Sequence, residues 1–352
     1  MNIKFHKIIF SVAAISFFVM GISCMEVEAP QWICTKTVDL PADVSFVTLA
    51  NNAKKVAFIK PGEVNTITFE NDARYTRWKG EASLVSFDDD QSLLACLAVI
   101  TKDNVAIILN PTCTVTLPKT IDENYAAIKC VNGKECLVGS DKGNLWCLKA
   151  DKHPKLLEHW FIPGYKSKPN GNVVACDEKN HLYAMAASAI DAWGCCMIAG
   201  DTKDAQKGWS DGANVEDVRF NRDGSLVAFA LGDVVLVYVT AILEKSNQVW
   251  RENNMTYNDT IKKALEGMQK AVIKYGKNIN ESKNIVKKVV FHDDNMQIFA
   301  GFADGKVYCS EIKDKGQSTV VVEFGEAIKS LAFNDMVLAV AGLKKVCLYS
   351  QQ

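Results

Sequence analysis

One pattern recurs along this chain: an alternating apolar run, a polar turn rich in Asn, Asp or Gly, and a second apolar run. It is clearest in VEDVRFNRDGSLVAFALGDVVLVYV from Val215 and in VKKVVFHDDNMQIFAGFADGKVYCS from Val286. Both continue through a tight Gly/Asp turn into a third run with an aromatic residue near its end. Alternation with period two, punctuated by residues that accept turn geometry, is the signal for strands joined by hairpins. Taking the last apolar residue of each first run as an anchor gives Leu49, Phe87, Cys130, Cys176, Phe220, Phe291 and Phe333, spaced by 38, 43, 46, 44, 71 and 42 residues. The turns after the anchors hold Asn51-Asn52, Asp88-Asp89-Asp90, Asn132-Gly133, Asp177, Asn221 to Gly224, Asp293-Asp294-Asn295 and Asn334-Asp335, all suited to Asx or left-handed turns.

A period near 43 with about four strands per unit predicts the blades of a β-propeller, and seven copies predict seven blades. The last copy, Ala327 to Tyr349, has only three strands. Its fourth is expected from Trp32 to Val38, so that the two ends of the chain pair and the ring keeps no open edge. The expected fold is therefore an all-β, seven-bladed propeller over residues 25–352, closed by its N- and C-terminal strands. The copies at Val215 and Val286 resemble WD repeats. None ends in Trp-Asp; the corresponding pairs are Trp146-Cys147, Val237-Tyr238, Tyr308-Cys309 and Leu348-Tyr349, and the Gly-His pair before the first strand is missing. One copy, CLVGSDKGNLWCLKADKHPKLLEHW, is similar instead to the repeats of pyrroloquinoline-quinone-type propellers.

The 71-residue gap exceeds one period by about 28 residues. The excess lies between Ser246 and Asn284, in or after the fifth blade, where YNDTIKKALEGMQKAVIKYGKN carries an N-cap at Asn258 or Asp259 and Gly276 at its end. Ile261, Leu265, Met268, Val272 and Tyr275 form a helical stripe, with Lys262, Lys263, Lys270, Lys274 and Glu266 opposite. The resemblance to WD repeats implies an exposed position for this insertion. Trp250, Tyr257, Lys263, Lys270, Lys274 and Tyr275 are then the candidate partner contacts, through a docking helix or a basic face meeting an acidic partner or membrane surface. The plainer alternative packs the stripe on the propeller and leaves the lysines solvated. Three Asn-x-Ser/Thr sites, at Asn254, Asn258 and Asn280, all fall here; a eukaryotic secretory route would glycosylate them.

The first 24 residues read as an export signal: Lys4 and Lys7, an apolar run from Ile8 to Ile22, then small residues at Gly21 and Ser23. Cleavage after Ser23 is expected. The alternatives are an uncleaved anchor, since 18 uncharged residues separate Lys7 from Glu26, and lipidation of Cys24. Membrane contact is expected only through those two. In all three cases the bulk of the chain goes outside. Of 12 cysteines, two pairs are candidates for disulfides: Cys136 with Cys147, about the Asp141-Lys142 turn, and Cys34 with Cys347, across the closing blade.

A net charge of −1 excludes the clustered basic excess that nucleic-acid binding needs. No Cys-x-x-C, paired-histidine, Gly-x-Ser-x-Gly or phosphate-loop motif is present. No catalytic, metal or cofactor site is expected. The Asp88-Asp89-Asp90 run stands at a turn position, which explains it without a cation. The function expected is a monomeric, noncatalytic scaffold that binds a protein partner. The alternatives are a hydrolase- or lactonase-like propeller enzyme with its site at the channel mouth, or an envelope assembly factor.

Overall fold

The computed structural model describes residues 31–87, 97–101, 105–109, 113–116, 125–132, 135–140, 144–149, 155–159, 170–177, 182–189, 192–199, 205–211, 215–240, 269–275, 285–313 and 318–352. They form an all-β propeller of four-stranded antiparallel sheets. The chain enters with β1 (Trp32–Asp39). The first sheet follows as β2 (Phe46–Leu49), β3 (Lys55–Lys60), β4 (Glu63–Thr68) and β5 (Ala73–Lys79). The second holds β6 (Ala82–Phe87), β7 (Leu97–Thr101), β8 (Val105–Leu109) and β9 (Cys113–Thr116). The third holds β10 (Tyr125–Asn132), β11 (Glu135–Ser140), β12 (Asn144–Lys149) and β13 (Lys155–His159). The fourth comprises β14 (Asn170–Asp177), β15 (Leu182–Ala189), β16 (Ala192–Ala199) and β17 (Ala205–Asp211). The fifth comprises β18 (Val215–Phe220), β19 (Leu226–Leu231), β20 (Val234–Val239) and β21 (Gln269–Lys274). The sixth is β22 (Val286–Phe291), β23 (Gln297–Phe302), β24 (Lys306–Glu311) and β25 (Ser318–Glu323). The last is β26 (Ser330–Asn334), β27 (Val337–Ala341) and β28 (Lys345–Gln351), with β1 as its fourth strand.

The first strands neighbour one another in cyclic order, from β2 through β6, β10, β14, β18 and β22 to β26 and back to β2. They therefore surround an axis, and each sheet radiates from it. Burial follows that geometry. The second strands are apolar along nearly their whole length, as in LVAFAL of β19 and LAVIT of β7, because neighbouring sheets cover both faces. The outermost strands are polar and largely exposed, as in ARYTRWK of β5. The cores lie between sheets: Val56, Phe58 and Ile67 of the first pack on Ala332 and Ala339 of the last, and Leu226 and Val237 of the fifth on Val289 and Phe302 of the sixth.

Turn chemistry holds the hairpins. The Asn221 carboxamide oxygen accepts from Leu226 N at 2.9 Å, the Asp294 carboxylate from Met296 N at 2.7 Å and the Asn52 side chain from Lys54 N at 3.0 Å. Asn295 and Asp335 take positive φ (58° and 50°), a conformation Asn and Asp tolerate better than other side chains.

A regularity absent from the sequence pattern is a β-bulge in the first strand. The extra residue is Ser83, Ala126, Asn172, Glu216 or Lys287, each four positions before its anchor. A second bulge recurs in the outermost strands, at Thr35, Arg77, Leu157, Lys270 and Val321. Bulges bend a strand and sharpen its twist, as a sheet running from axis to rim requires.

The ends of the chain pair as expected, with Trp32 opposite Gln351 and Val38 opposite Val346. The insertion departs from expectation. Gln269–Lys274 is not part of a helix but the fourth strand of its sheet, with Ile273 opposite Val235 and Lys274 opposite Val234. The extra residues thus sit between the third and fourth strands, not after the fourth. Val272 and Ile273 are β-branched, and the edge of β20 needs a partner; pairing overrides the helical stripe. Residues 241–268, with Trp250, Tyr257, Lys263 and the sites at Asn254 and Asn258, lie outside the described residues. So do Asn280, Asp88 to Asp90, and residues 1–30 with the export signal and Cys24.

Candidate functional site

Two groups of side chains stand out, one at the axis and one on a face. At the axis, charged residues of β18 meet those of β22. Asp217 is 5% exposed; one carboxylate oxygen accepts from Val289 N at 3.1 Å and lies 3.4 Å from Arg219 Nε, and the other lies 3.3 Å from Lys288 Nζ. Arg219 Nη1 also reaches Asn51 Oδ1 of the first sheet at 3.5 Å, although the two sheets are not neighbours in the ring. The bulge residues Glu216 and Lys287 form an ion pair at 2.8 Å. Elsewhere serines perform the same bridging: Ser86 Oγ accepts from Cys130 N at 3.2 Å, and Ser330 Oγ from Leu49 N at 3.0 Å. Each places a side chain of one first strand on a backbone N–H of the next. With three donors on it, the Asp217 carboxylate is a clamp between sheets rather than a free base. Among the described residues no group of three or more His, Cys, Asp or Glu side chains is placed to hold a metal ion.

The second group lies on one face. In an up-and-down antiparallel sheet, the connections after the first and third strands share a face. Here that face carries the turns at Asn221–Ser225, His292–Met296 and Asp335–Met336. They are linked in series: Asn295 Nδ2 donates to Asp223 Oδ2 at 3.1 Å, and Asp335 N to Asp293 Oδ2 at 3.0 Å. The Ser225 hydroxyl holds the Asp223 carboxyl below the usual range. His292 stacks on Phe333 at 4.5 Å, and its Nδ1 accepts from Asp294 N at 3.2 Å. On this braced surface Met296 and Met336, in adjacent sheets, are 61% and 48% exposed. The insertion leaves from the same face, where Thr240 Oγ1 donates to Gly224 O at 2.6 Å and Thr240 N to Ser225 O at 2.9 Å.

Of the residues expected in partner binding, Tyr275 is packed rather than presented. Its ring meets Phe302 at 5.1 Å and Tyr308 at 5.5 Å in the sixth sheet, and its hydroxyl accepts from Ser310 Oγ at 3.0 Å. Burial pushes its phenol above the usual range. Lys270 is the bulged residue of β21, and Lys274 ends that strand. Among the cysteines, Cys136 falls opposite Leu148 and Cys147 opposite Leu137. The two therefore point to opposite faces of their sheet and cannot bridge, which corrects the expected pairing. Cys136 instead faces Cys130. Cys34 and Cys347 do lie together, as free thiols on the closing strands. Burial pushes the Cys309 thiol up to about 11, helped by the Asp294 and Glu311 carboxylates. The vicinal Cys195-Cys196 lies in β16.

Sequence reasoning missed Asp217, Arg219, Met296 and Met336. The signal for the first two was present: charges inside a strand that lines the axis. For the methionines it was an apolar residue at a turn tip.

No family model matches the chain, and no curated protein matches it either. Fold and repeats define the class: an all-β propeller, a platform of the kind used for protein interaction. Among the described residues no helix is long and apolar enough to cross a membrane.

Proposed function

We propose that the chain is an exported, noncatalytic scaffold: a seven-bladed propeller of the WD-repeat type that holds a protein partner on the turn face of its fifth to seventh blades. The observation that carries this reading is the pair Met296 and Met336, exposed on turns of adjacent sheets that a hydrogen bond fixes to one another. Exposed methionines make adaptable apolar contacts, and a braced surface loses little freedom on binding. The insertion departs from Thr240, beside the same turns.

The WD type rests on the resemblance of the copies at Val215 and Val286 to that family's repeats. In the last blade Glu326 Oε2 accepts from Lys344 N at 3.3 Å, tying the crossing to the tight turn. Export rests on the N-terminal signal. The test is capture from native lysate with the mature chain and with the double variant Met296→Asp, Met336→Asp. A partner retained by the first and lost by the second, with both equally folded by circular dichroism, supports the face. Equal recovery by both places binding elsewhere on the ring.

A further inference from the structure

β1 differs from every other strand of the propeller. The others are tied to their sheets by short connections or by the insertion, whereas β1 is joined to its sheet only across space, through β28. Ring closure therefore depends on one strand pair between the two ends of the chain.

That pair carries two sulfurs on one face. Cys34 stands opposite Tyr349 and Thr37 opposite Cys347, with Thr35 as the extra residue between them. In an unbroken strand Cys34 and Thr37, three positions apart, would point to opposite faces. The bulge at Thr35 brings them to the same face, and with them Cys347. Cys34 Sγ lies 3.5 Å from Thr37 Oγ1, which in turn lies 3.4 Å from Cys347 Sγ. Both sulfurs converge on one hydroxyl. Access is asymmetric: Cys34 is exposed, while Cys347 is 3% exposed.

We propose that Cys34 and Cys347 are an oxidation site, forming a disulfide that staples the first strand of the chain to the last and locks the ring. The oxidant is a low-molecular-weight disulfide. The Cys34 thiolate attacks it, one small thiolate leaves and takes up the proton that Cys34 released, and Cys34 is left in a mixed disulfide. Cys347 then gives up its proton and attacks the Cys34 sulfur, expelling the second small thiol. Two protein thiols become one disulfide, and one small disulfide becomes two thiols. Cys34 is the exposed residue that meets the oxidant, and Cys347 the sheltered one that resolves it. The Cys34 side chain stands at the surface, and closing the bridge brings its sulfur to about 2.05 Å from that of Cys347. Cys130 and Cys136, fully buried in the third sheet, do not meet the oxidant. The loop so closed spans nearly the whole chain, where cross-linking restrains the unfolded state most. Reduced, β1 can peel from β28; oxidised, it cannot.

The test is to treat the folded full-length chain with hydroxyethyl disulfide, block remaining thiols and map tryptic peptides by mass. Cleavage after Lys345 releases VCLYSQQ, which carries Cys347; cleavage after Lys36 ends the peptide carrying Cys34. The expected product is the cross-link of these two, reversed by dithiothreitol and absent from Cys34→Ser and Cys347→Ser. Hydrogen exchange of β1 amides should slow by about tenfold or more in the cross-linked form. A mixed disulfide that persists on Cys34, or a Cys34 bridge to any other cysteine, overturns the proposal. The wild-type peptide map decides the question even should either serine variant fail to fold.

Discussion

The indole of Trp32 meets the ring of Phe299 edge-on, centroids 5.4 Å apart at 87°. The same indole lies 6.2 Å from Phe333, and Phe299 and Phe333 are 5.1 Å apart. Trp32 opens the first strand of the described chain; Phe299 belongs to the sixth sheet and Phe333 to the last. A single side chain thus pins the closing strand into the seam between two sheets. Trp32→Ala should cost about 3 kcal/mol, the lower end for a buried aromatic because Trp32 is only half-buried. Denaturant unfolding measures the loss, and hydrogen exchange should speed up first along β1 and β28.

Asp217 should behave as a buried clamp. Asp217→Ala leaves the Val289 N–H and the Lys288 ammonium without their acceptor, and stability should fall by about 3 kcal/mol. Asp217→Asn keeps one acceptor for the N–H but loses the charge and the second acceptor oxygen, so it should cost less than Asp217→Ala. Equilibrium unfolding of both variants checks the order.

Tyr275 should make the protein alkali-sensitive. Its phenol is raised by burial, so the folded state holds the proton more tightly than the unfolded chain. That stability is fully present below the unfolded value of about 10 and is lost as pH rises from there toward the folded value. Tyr275→Phe should be weaker at neutral pH by about 1 kcal/mol, for the lost Ser310 hydrogen bond. It should also show less loss of stability than wild type above pH ~10. Alkaline unfolding curves of the pair decide.

Gly342 leaves room for Glu326. A Cβ there would clash with the Glu326 carboxyl group, so Gly342→Ala must displace the side chain that caps Lys344 N. The cost should be about 1–2 kcal/mol. With Glu326→Ala already in place the same substitution should be nearly neutral, a non-additivity that a double-mutant cycle reads directly.

Much of this fold is legible in the sequence because a propeller repeats its local chemistry. The Asx residues after each anchor are needed wherever a first strand turns into a second, and the missing fourth strand of the last copy points to Trp32–Val38. What stayed hidden has physical causes. The bulges at Ser83, Ala126, Asn172, Glu216 and Lys287 share no side-chain chemistry, since a bulge is a property of pairing. Met268, Val272 and Tyr275 fit a helical stripe while Ala271, Ile273 and Tyr275 fit a strand; only the free edge of β20 decides between them. A register centre misplaced by half a residue was enough to suggest Cys136 with Cys147, because one step along a strand exchanges its faces. The turn-face methionines show in the sequence only as apolar residues at turn tips, because contacts between turns of adjacent sheets leave no periodic trace.

The most direct test of the scaffold reading is hydrogen exchange of the captured complex against the free chain. Binding on the turn face predicts protection at Asn221–Ser225, His292–Met296 and Asp335–Met336, together with the stem at Thr240. Protection confined to the opposite face, at Gly232-Asp233, Ala303–Gly305 and Gly342–Lys344, would contradict it.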